Sequence, residues 1–251
     1  GRNQIGFRKG RWIHEHHLTL QALLQSAKDT FGGVVFLDFK NAYDSLKHSY
    51  IIDRMRHIGG YNWSQVISGI LGGESGIWIG QRWAGHCRVN AGVRQGDSIS
   101  PILFNIALAP LLEMLETRLE GASLGDLLIA YLAFADDIAI FLRDENDVQT
   151  LLTILSEWEE LSGMKVNKLK TKMFAWNDAL IEAAPWERVS SFRFLGIPIK
   201  EDGTIHWEEV SVKLTTRLKT VAKVAARMAS LRARVKCING YAIAVIYHVL
   251  R

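Results

Sequence analysis

Apolar positions along this chain fall into short runs and helical stripes, separated by polar, glycine-bearing turns. Residues 18–28 have a helical spacing, and Gly33-Val34-Val35-Phe36-Leu37-Asp38 is a β-rich run ending in a carboxylate. Leu46, Tyr50, Ile51, Met55 and Ile58 recur at helical intervals and predict a helix over 46–58. Two short strand-like runs, split by glycine and charge, lie within 77–89. Pro101 suits the first turn of a long helix over 101–119, with Ser100 as its natural cap. Helices are also predicted over 148–161, 207–231 and 241–250, and strands over 171–176 and 191–199. The first twelve residues, basic and glycine-bearing, read as a loop or hairpin. Strands and helices without regular alternation predict an α+β fold, an antiparallel sheet with helices packed on one side.

The stretch LIAYLAFADDIAIFLR places Asp136 and Asp137 inside an apolar run. Residues 131–134 and 138–141 are strand-like, so the aspartates form the turn of a β-hairpin. Aspartate is an ordinary turn residue, and a solvated hairpin tip is one reading. A membrane span needs roughly 20 apolar residues, and each central aspartate costs roughly 2.5 kcal/mol or more, which excludes that reading. A second strand also ends in a carboxylate, Asp38. Side by side, such strand ends bind hard divalent cations through oxygen. Two ions roughly 3.5–4 Å apart activate a hydroxyl and stabilise the leaving oxygen in phosphoryl transfer. Their charge offsets the repulsion between the aspartates. A third stretch, GVRQGDSISPILFNIAL, runs from a polar glycine loop into a helix N-terminus. Gln95, Gly96 and the first helical amides suit contact with a nucleotide or template strand, unless the stretch is an ordinary capped helix.

With 251 residues, 48% hydrophobic, the chain can bury one large core or two modest ones. Charged residues make up 22% and are well mixed, which excludes a disordered chain. A net charge of +4 leans towards a polyanionic partner. Cys87 and Cys237 match no metal or redox spacing and read as reduced thiols of an intracellular protein. No signal peptide is recognisable, and both ends look cut, as in a piece of a longer protein. In the predicted helix 207–231, Leu214, Leu218, Val221, Ala225, Met228 and Leu231 fall on one side. Lys213, Arg217, Lys219, Lys223, Arg227 and Arg234 fall on the other. Such a ridge either tracks phosphates, with steep salt dependence and no sequence preference, or is a solvated basic face. His14, His16 and His17 cluster near the start, with poor spacing for a metal on one helix.

FLDFKNAYDSL, GVRQGDSISPILFN, LAFADDIAIF, SGMKVNKLKTK and FRFLGIPI appear in this order. They closely resemble the palm motifs of reverse transcriptases of non-LTR (LINE-type) retrotransposons. NQIGFRKGR resembles that group's fingers segment, Q-x-G-F-R, and the resemblance covers nearly the whole chain. It implies a right-hand polymerase palm with partial fingers and a partial helical thumb. The corresponding boundaries are 1–32 for fingers, 33–190 for a palm with a fingers-side insertion near 59–95, 191–204 for a primer-grip-like hairpin and 205–251 for thumb.

The implied activity is RNA-directed DNA polymerisation, the two-metal transfer of a dNTP onto a primer 3′-hydroxyl. Two Mg²⁺ ions are the implied cofactors, with Mn²⁺ as the alternative. An RNA template and a DNA primer or target are the implied partners. By the same resemblance Asp38 and Asp136 match the ligands of both ions, Asp137 a weaker one, and the Phe39 backbone carbonyl an extra one. Tyr43 matches the aromatic under the incoming sugar, which clashes with a 2′-hydroxyl; a core tyrosine is the alternative. Asp44 reads as structural, capping the helix near Leu46. Gln95 and Gly96 match the pair beside the nascent base pair. Phe134 and the small Ala135 precede the aspartates, leaving room for the primer end. Asn167 and Lys170 match N-x-x-K, whose lysine protonates departing pyrophosphate, with Lys168 and Lys172 as rivals. Phe194, Leu195 and Gly196 resemble the primer grip. Arg8, Lys9 and Arg11 match fingers residues near the triphosphate or template.

The chain departs from the family in three places. Its histidine cluster stands where S-T-x-D-N is usual, no R-P-I fingers strand precedes Gln4, and no endonuclease is recognisable. The remaining fingers, thumb and endonuclease of a parent polyprotein are therefore expected partners, and no membrane is. A nuclear working site is implied. Alternatives are a group II intron-type or telomerase-like enzyme, a nucleic-acid-binding remnant without catalysis, and a polymerase using a DNA template or none.

Overall fold

A computed structural model describes residues 3–26 and 28–243. Helix α1 (Ile13–Ser26) leads through a 3-10 turn into strand β1 (Gly33–Leu37). Asp38 ends that strand, and β2 (Phe39–Lys40), α2 (Ala42–Ser45) and α3 (His48–Leu71) follow. The hairpin of β3 (Glu74–Ile79) and β4 (Arg82–Arg88) precedes the long α4 (Ser100–Arg118). Next come β5 (Ala122–Leu124) with β6 (Leu127–Ile129), then β7 (Tyr131–Phe134) with β8 (Asp137–Leu142). Helix α5 (Glu145–Ser162), β9 (Lys165–Val166), β10 (Lys172–Ala175), α6 (Asp178–Ala183) and β11 (Glu187–Arg188) complete the central region. The hairpin of β12 (Ser191–Phe194) and β13 (Ile197–Lys200) leads to α7 (Trp207–Ala226) and α8 (Leu231–Cys237).

The main sheet has five strands in the order β11-β10-β1-β8-β7, antiparallel except at β10–β11. Every residue of the central β1 is buried, so both faces of the sheet must be covered. Val35 and Leu37 join Ile138, Ile140 and Met173 in a core with residues of α3, α4 and α5. Val34 and Phe36 join Phe141 and Phe174 in a second core with α1 and the β12–β13 hairpin. The α+β class holds, but the layer is covered on both sides rather than one. Phe36 stacks on Phe192 at 4.4 Å and meets Phe174 edge-on at 5.0 Å. These contacts lock the hairpin to the strand that ends in Asp38.

Four local expectations are corrected. The helix near Leu46 starts at His48 with no side-chain cap, so Asp44 does not cap it and instead sits within α2. It continues past 58 to Leu71, breaking at Gly60, whose φ of 77° and ψ of −175° only glycine takes readily. Ser100 is the first residue of α4 rather than its side-chain cap; Asp97 Oδ1 accepts the Ile99 N–H at 3.3 Å. The helix predicted to reach Leu231 ends at Ala226, and Ser230 caps a new one by accepting the Ala233 N–H. Leu231 is consequently 76% exposed rather than part of the apolar seam. Of the predicted helix 241–250, residues 244–250 lie outside those described. Among the described residues no helix is long and apolar enough to cross a membrane.

Candidate active site

Strand register builds the site. Leu37 opposes Ile138, so the next step of the ladder sets Asp38 against Asp137. On the other flank the ladder ends where Phe36 opposes Lys172, and Lys170 lies beyond it in the turn that follows Asn167. Phe134 pairs with Asp137, leaving Ala135 and Asp136 as the hairpin's turn. Of the two aspartates only Asp136 is therefore in the turn; Asp137 opens β8. Ala135 takes the left-handed region, with φ 54°.

The three carboxylates feel one another. Crowding by surrounding protein, then repulsion from Asp136 and Asp38, pushes Asp137 up to about 6. Desolvation first, then Asp38, also raises Asp136. Asp38 Oδ2 is buried without a hydrogen-bond partner. An unpartnered buried carboxylate oxygen beside two mutually repelling carboxylates has the donor chemistry that hard divalent cations take. Among the described residues no such trio already stands at metal-ligand spacing.

The backbone of Asp38 is pinned at both ends. Its N–H donates to Thr171 Oγ1 at 3.2 Å, and its carbonyl accepts the Asn167 N–H at 2.8 Å. Thr171 is fully buried, and the exposed Lys170 rides on the same turn. Lys172 is drawn instead into an ion pair with Glu187. The Phe39 ring is buried against Trp158, so only its backbone is left for the site.

Tyr43 lies flat on Phe104, at 4.6 Å and 3° between planes. Burial, then the charge of Asp136, raises its phenol above the usual range. One ring face therefore belongs to the core while the hydroxyl senses the charge of Asp136. The loop before α4 is stitched to this segment. Val93 N–H donates to Tyr43 O and Gly92 N–H to Leu46 O, both at 2.7 Å. Gln95 and Gly96 sit exposed on that loop.

The segment around Gln4 lies against the aspartate hairpin. Ile5 N–H donates to Ala133 O at 3.0 Å, and Ala133 N–H to Asn3 O at 2.9 Å. Asn105 Nδ2 donates to Gly6 O at 2.9 Å. Arg8 Nη1 reaches back to Gln4 O at 3.1 Å.

Comparison with known proteins bears on this arrangement. The family model described as reverse transcriptase (RNA-dependent DNA polymerase) matches residues 1–199. The chain belongs to that family. Its curated relatives come from non-LTR retrotransposable elements. A Pol polyprotein of element R2 from Popillia japonica is 34% identical over 62% of this chain and 26% of its own length. One from R2DM of Drosophila melanogaster is 28% identical over 78% and 20%. The RNA-directed DNA polymerase from mobile element jockey of Drosophila funebris is 23% identical over 86% and 25%. The chain thus spans a fifth to a quarter of the length of these relatives. Among solved structures, apo telomerase from Candida tropicalis superposes with TM-score 0.58 at 12% identity, over 99% of this chain and 47% of that one. A form truncated of its C-terminal domain gives 0.55 at 16%, over 81% and 40%. At such identities the likeness shows the fold alone.

Other residues singled out in this reverse transcriptase chain lie further out. Phe194 and Leu195 are buried, so at the 194–196 turn only Gly196 is exposed. Arg11 pairs with Glu15 at 3.1 Å, which turns it towards α1. Lys213, Arg217, Lys219 and Lys223 on α7, with Arg227 at its end, are all exposed, and among the described residues none forms an ion pair. Two of the three histidines meet backbone carbonyls. His16 Nε2 lies 3.0 Å from Ala133 O and His17 Nε2 2.9 Å from Phe194 O. Gln4 and Thr171 had escaped notice as individual residues, although both lie inside the quoted motifs.

Proposed function

We propose that the chain is the catalytic part of an RNA-directed DNA polymerase, transferring a deoxynucleotide from dNTP to a primer 3′-hydroxyl. The register that gathers Asp38, Asp136 and Asp137 at one sheet end, beside Tyr43, carries this reading. Those carboxylates, with the Phe39 carbonyl, would hold two Mg²⁺ ions, or Mn²⁺ in their place. Once bound, such ions make the attacking hydroxyl more acidic and stabilise the leaving oxygen.

The remaining steps fall to the chain's own groups. Tyr43 rejects a ribose 2′-hydroxyl by steric exclusion. Gln95, Gly96 and the start of α4 lie against the nascent pair. Arg8 meets the triphosphate, and Lys170, exposed on the turn after Asn167, protonates departing pyrophosphate. The 194–196 turn steadies the primer while Lys213, Arg217, Lys219, Lys223 and Arg227 track phosphates. In this reading residues 1–32 belong to fingers, 33–190 to palm, 191–204 to the primer-grip hairpin and 205–251 to thumb. RNA template, DNA primer and the rest of a parent polyprotein are the partners, and the nucleus is the working site.

Primer extension on an RNA template with dNTPs and Mg²⁺, beside Asp136→Ala, tests the proposal. Extension by the parent and none by the variant is expected. No extension by either, with salt-sensitive nucleic-acid binding retained in both, would overturn it in favour of a binding remnant.

A further inference from the structure

The turn that presents Asp136 is held by a side chain from the other end of the chain. Gln4 is 6% exposed. Its Oε1 accepts the Ala135 N–H at 3.2 Å, and its Nε2 donates to Ala135 O at 3.3 Å. The same Oε1 accepts the Gly6 N–H at 2.8 Å. One carboxamide thus satisfies both backbone groups of the residue that immediately precedes Asp136.

Ala135 is a residue that needs such help. Its φ of 54° is a region that side chains with a Cβ seldom occupy, and it persists only where surroundings over-determine it. The turn sits beyond the last pair of the β7–β8 ladder, so no strand partner fixes it. Gly6 makes the close approach possible, because a Cβ there would lie 2.5 Å from Ala135 N. The Ile5 and Asn3 bonds to Ala133 fix where Gln4 enters, and His16 takes the remaining side of Ala133 O.

We infer that Gln4 is a positioning residue for the polymerase centre, acting through Ala135 to aim the Asp136 carboxylate at its cation. It touches neither substrate nor ion. Polar satisfaction alone does not account for it, since a buried amide can bond many backbone groups. Gln4 instead bonds both faces of the single strained residue beside the catalytic carboxylate. The inference rests on the polymerase reading for its consequence but not for its geometry.

The test uses Gln4→Met, which keeps length and removes every hydrogen bond, and Gln4→Glu, which keeps only the acceptor. Leu180→Ala, in a buried position of α6 packed near Gly32 and Gly33, supplies a core variant with a comparable loss of melting temperature. Amide hydrogen exchange across 133–138 and direct Mn²⁺ binding by electron paramagnetic resonance are measured on the full chain. Gln4→Met should speed exchange at Ala135 and weaken Mn²⁺ binding by about tenfold each, and Gln4→Glu should retain protection of that amide. In primer extension, kcat should fall about tenfold for Gln4→Met while KM for dNTP stays within about twofold. Exchange and Mn²⁺ affinity unchanged from the parent, or shifted equally by Leu180→Ala, would overturn the inference. A parent chain that extends no primer, with the exchange and Mn²⁺ effects present, would sink the polymerase reading and leave the Gln4 clamp in place.

Discussion

Gly92 and Gly96 bracket one loop, and both have positive φ, 83° and 89°. Alanine at either position meets the same backbone penalty, about 1–2 kcal/mol for a left-handed L-residue. Their surroundings differ. A Cβ at Gly96 has nothing within 4 Å, so the cost stops there. A Cβ at Gly92 would lie 2.6 Å from Asp44 Cα and 2.7 Å from Tyr43 O. Both atoms are backbone, in the turn that carries Tyr43, and cannot swing aside as a side-chain tip does. Overpacking of that kind adds about 1–3 kcal/mol. Gly96→Ala should therefore cost about 1–2 kcal/mol and Gly92→Ala about 2–5 kcal/mol. Urea unfolding, with slopes compared to check two-state behaviour, measures both. Because the displacement falls on Tyr43, Gly92→Ala should also admit ribonucleotides more readily, at temperatures where it remains folded. Equal destabilisation by the two substitutions would refute the steric argument.

Three further outcomes are expected. Asp137 is raised to about 6, so the fold without cations binds an extra proton and loses stability as pH rises from about 4 to 6. Asp137→Asn should then melt higher than the parent in EDTA at pH 7.5, with the gap closing by pH 4; a lower melting point at pH 7.5 counts against the crowding. Burial lowers His16 below its ordinary 6.5, so the stability of its neutral form is complete above 6.5 and is lost as pH falls through that value. The drop in urea midpoint between pH 7.5 and 5.5 should shrink in His16→Gln, and an identical drop would contradict this. Replacing Lys213, Arg217, Lys219 and Lys223 together by glutamine should flatten the salt dependence of duplex binding by about 3–4 units of log–log slope. An unchanged slope would show a merely solvated face.

Local pattern carried much of this molecule. The apolar run 33–37 read as a strand and the alternation around Asp136 as a hairpin, but that both faces of the sheet are covered emerged only from the structure. Helix α5, expected over 148–161, begins at Glu145 because Asp144 caps it, and Gly163, at φ 82°, ends it. Periodicity failed where it ran on too far. The amphipathic stripe of α7 continues in sequence through Met228 to Leu231, but the backbone turns before Ser230. Ser100 looked like a cap because serine caps often, whereas Asp97 lay closer to the free amides. What no local pattern holds is distance along the chain. Asp38 meets Asp137 and Thr171 only through strand register, and Gln4 reaches Ala135 across 131 residues.

That same register sets an order of events during synthesis. Strand β1 ends at Leu37, yet its neighbours are β8, from Asp137, and β10, ending at Ala175. At ordinary translation rates roughly 7–28 s separate emergence of the central strand from emergence of its last partner. Until β8 follows, a five-residue apolar segment waits with both edges open, and one edge stays open until β10, the kind of sequence that recruits other chains. The carboxylate of Asp38 is thus made early and placed late. Nascent chains stalled before residue 137 should accordingly depend on chaperones most, at the stage when β1 exists but has nothing to pair with.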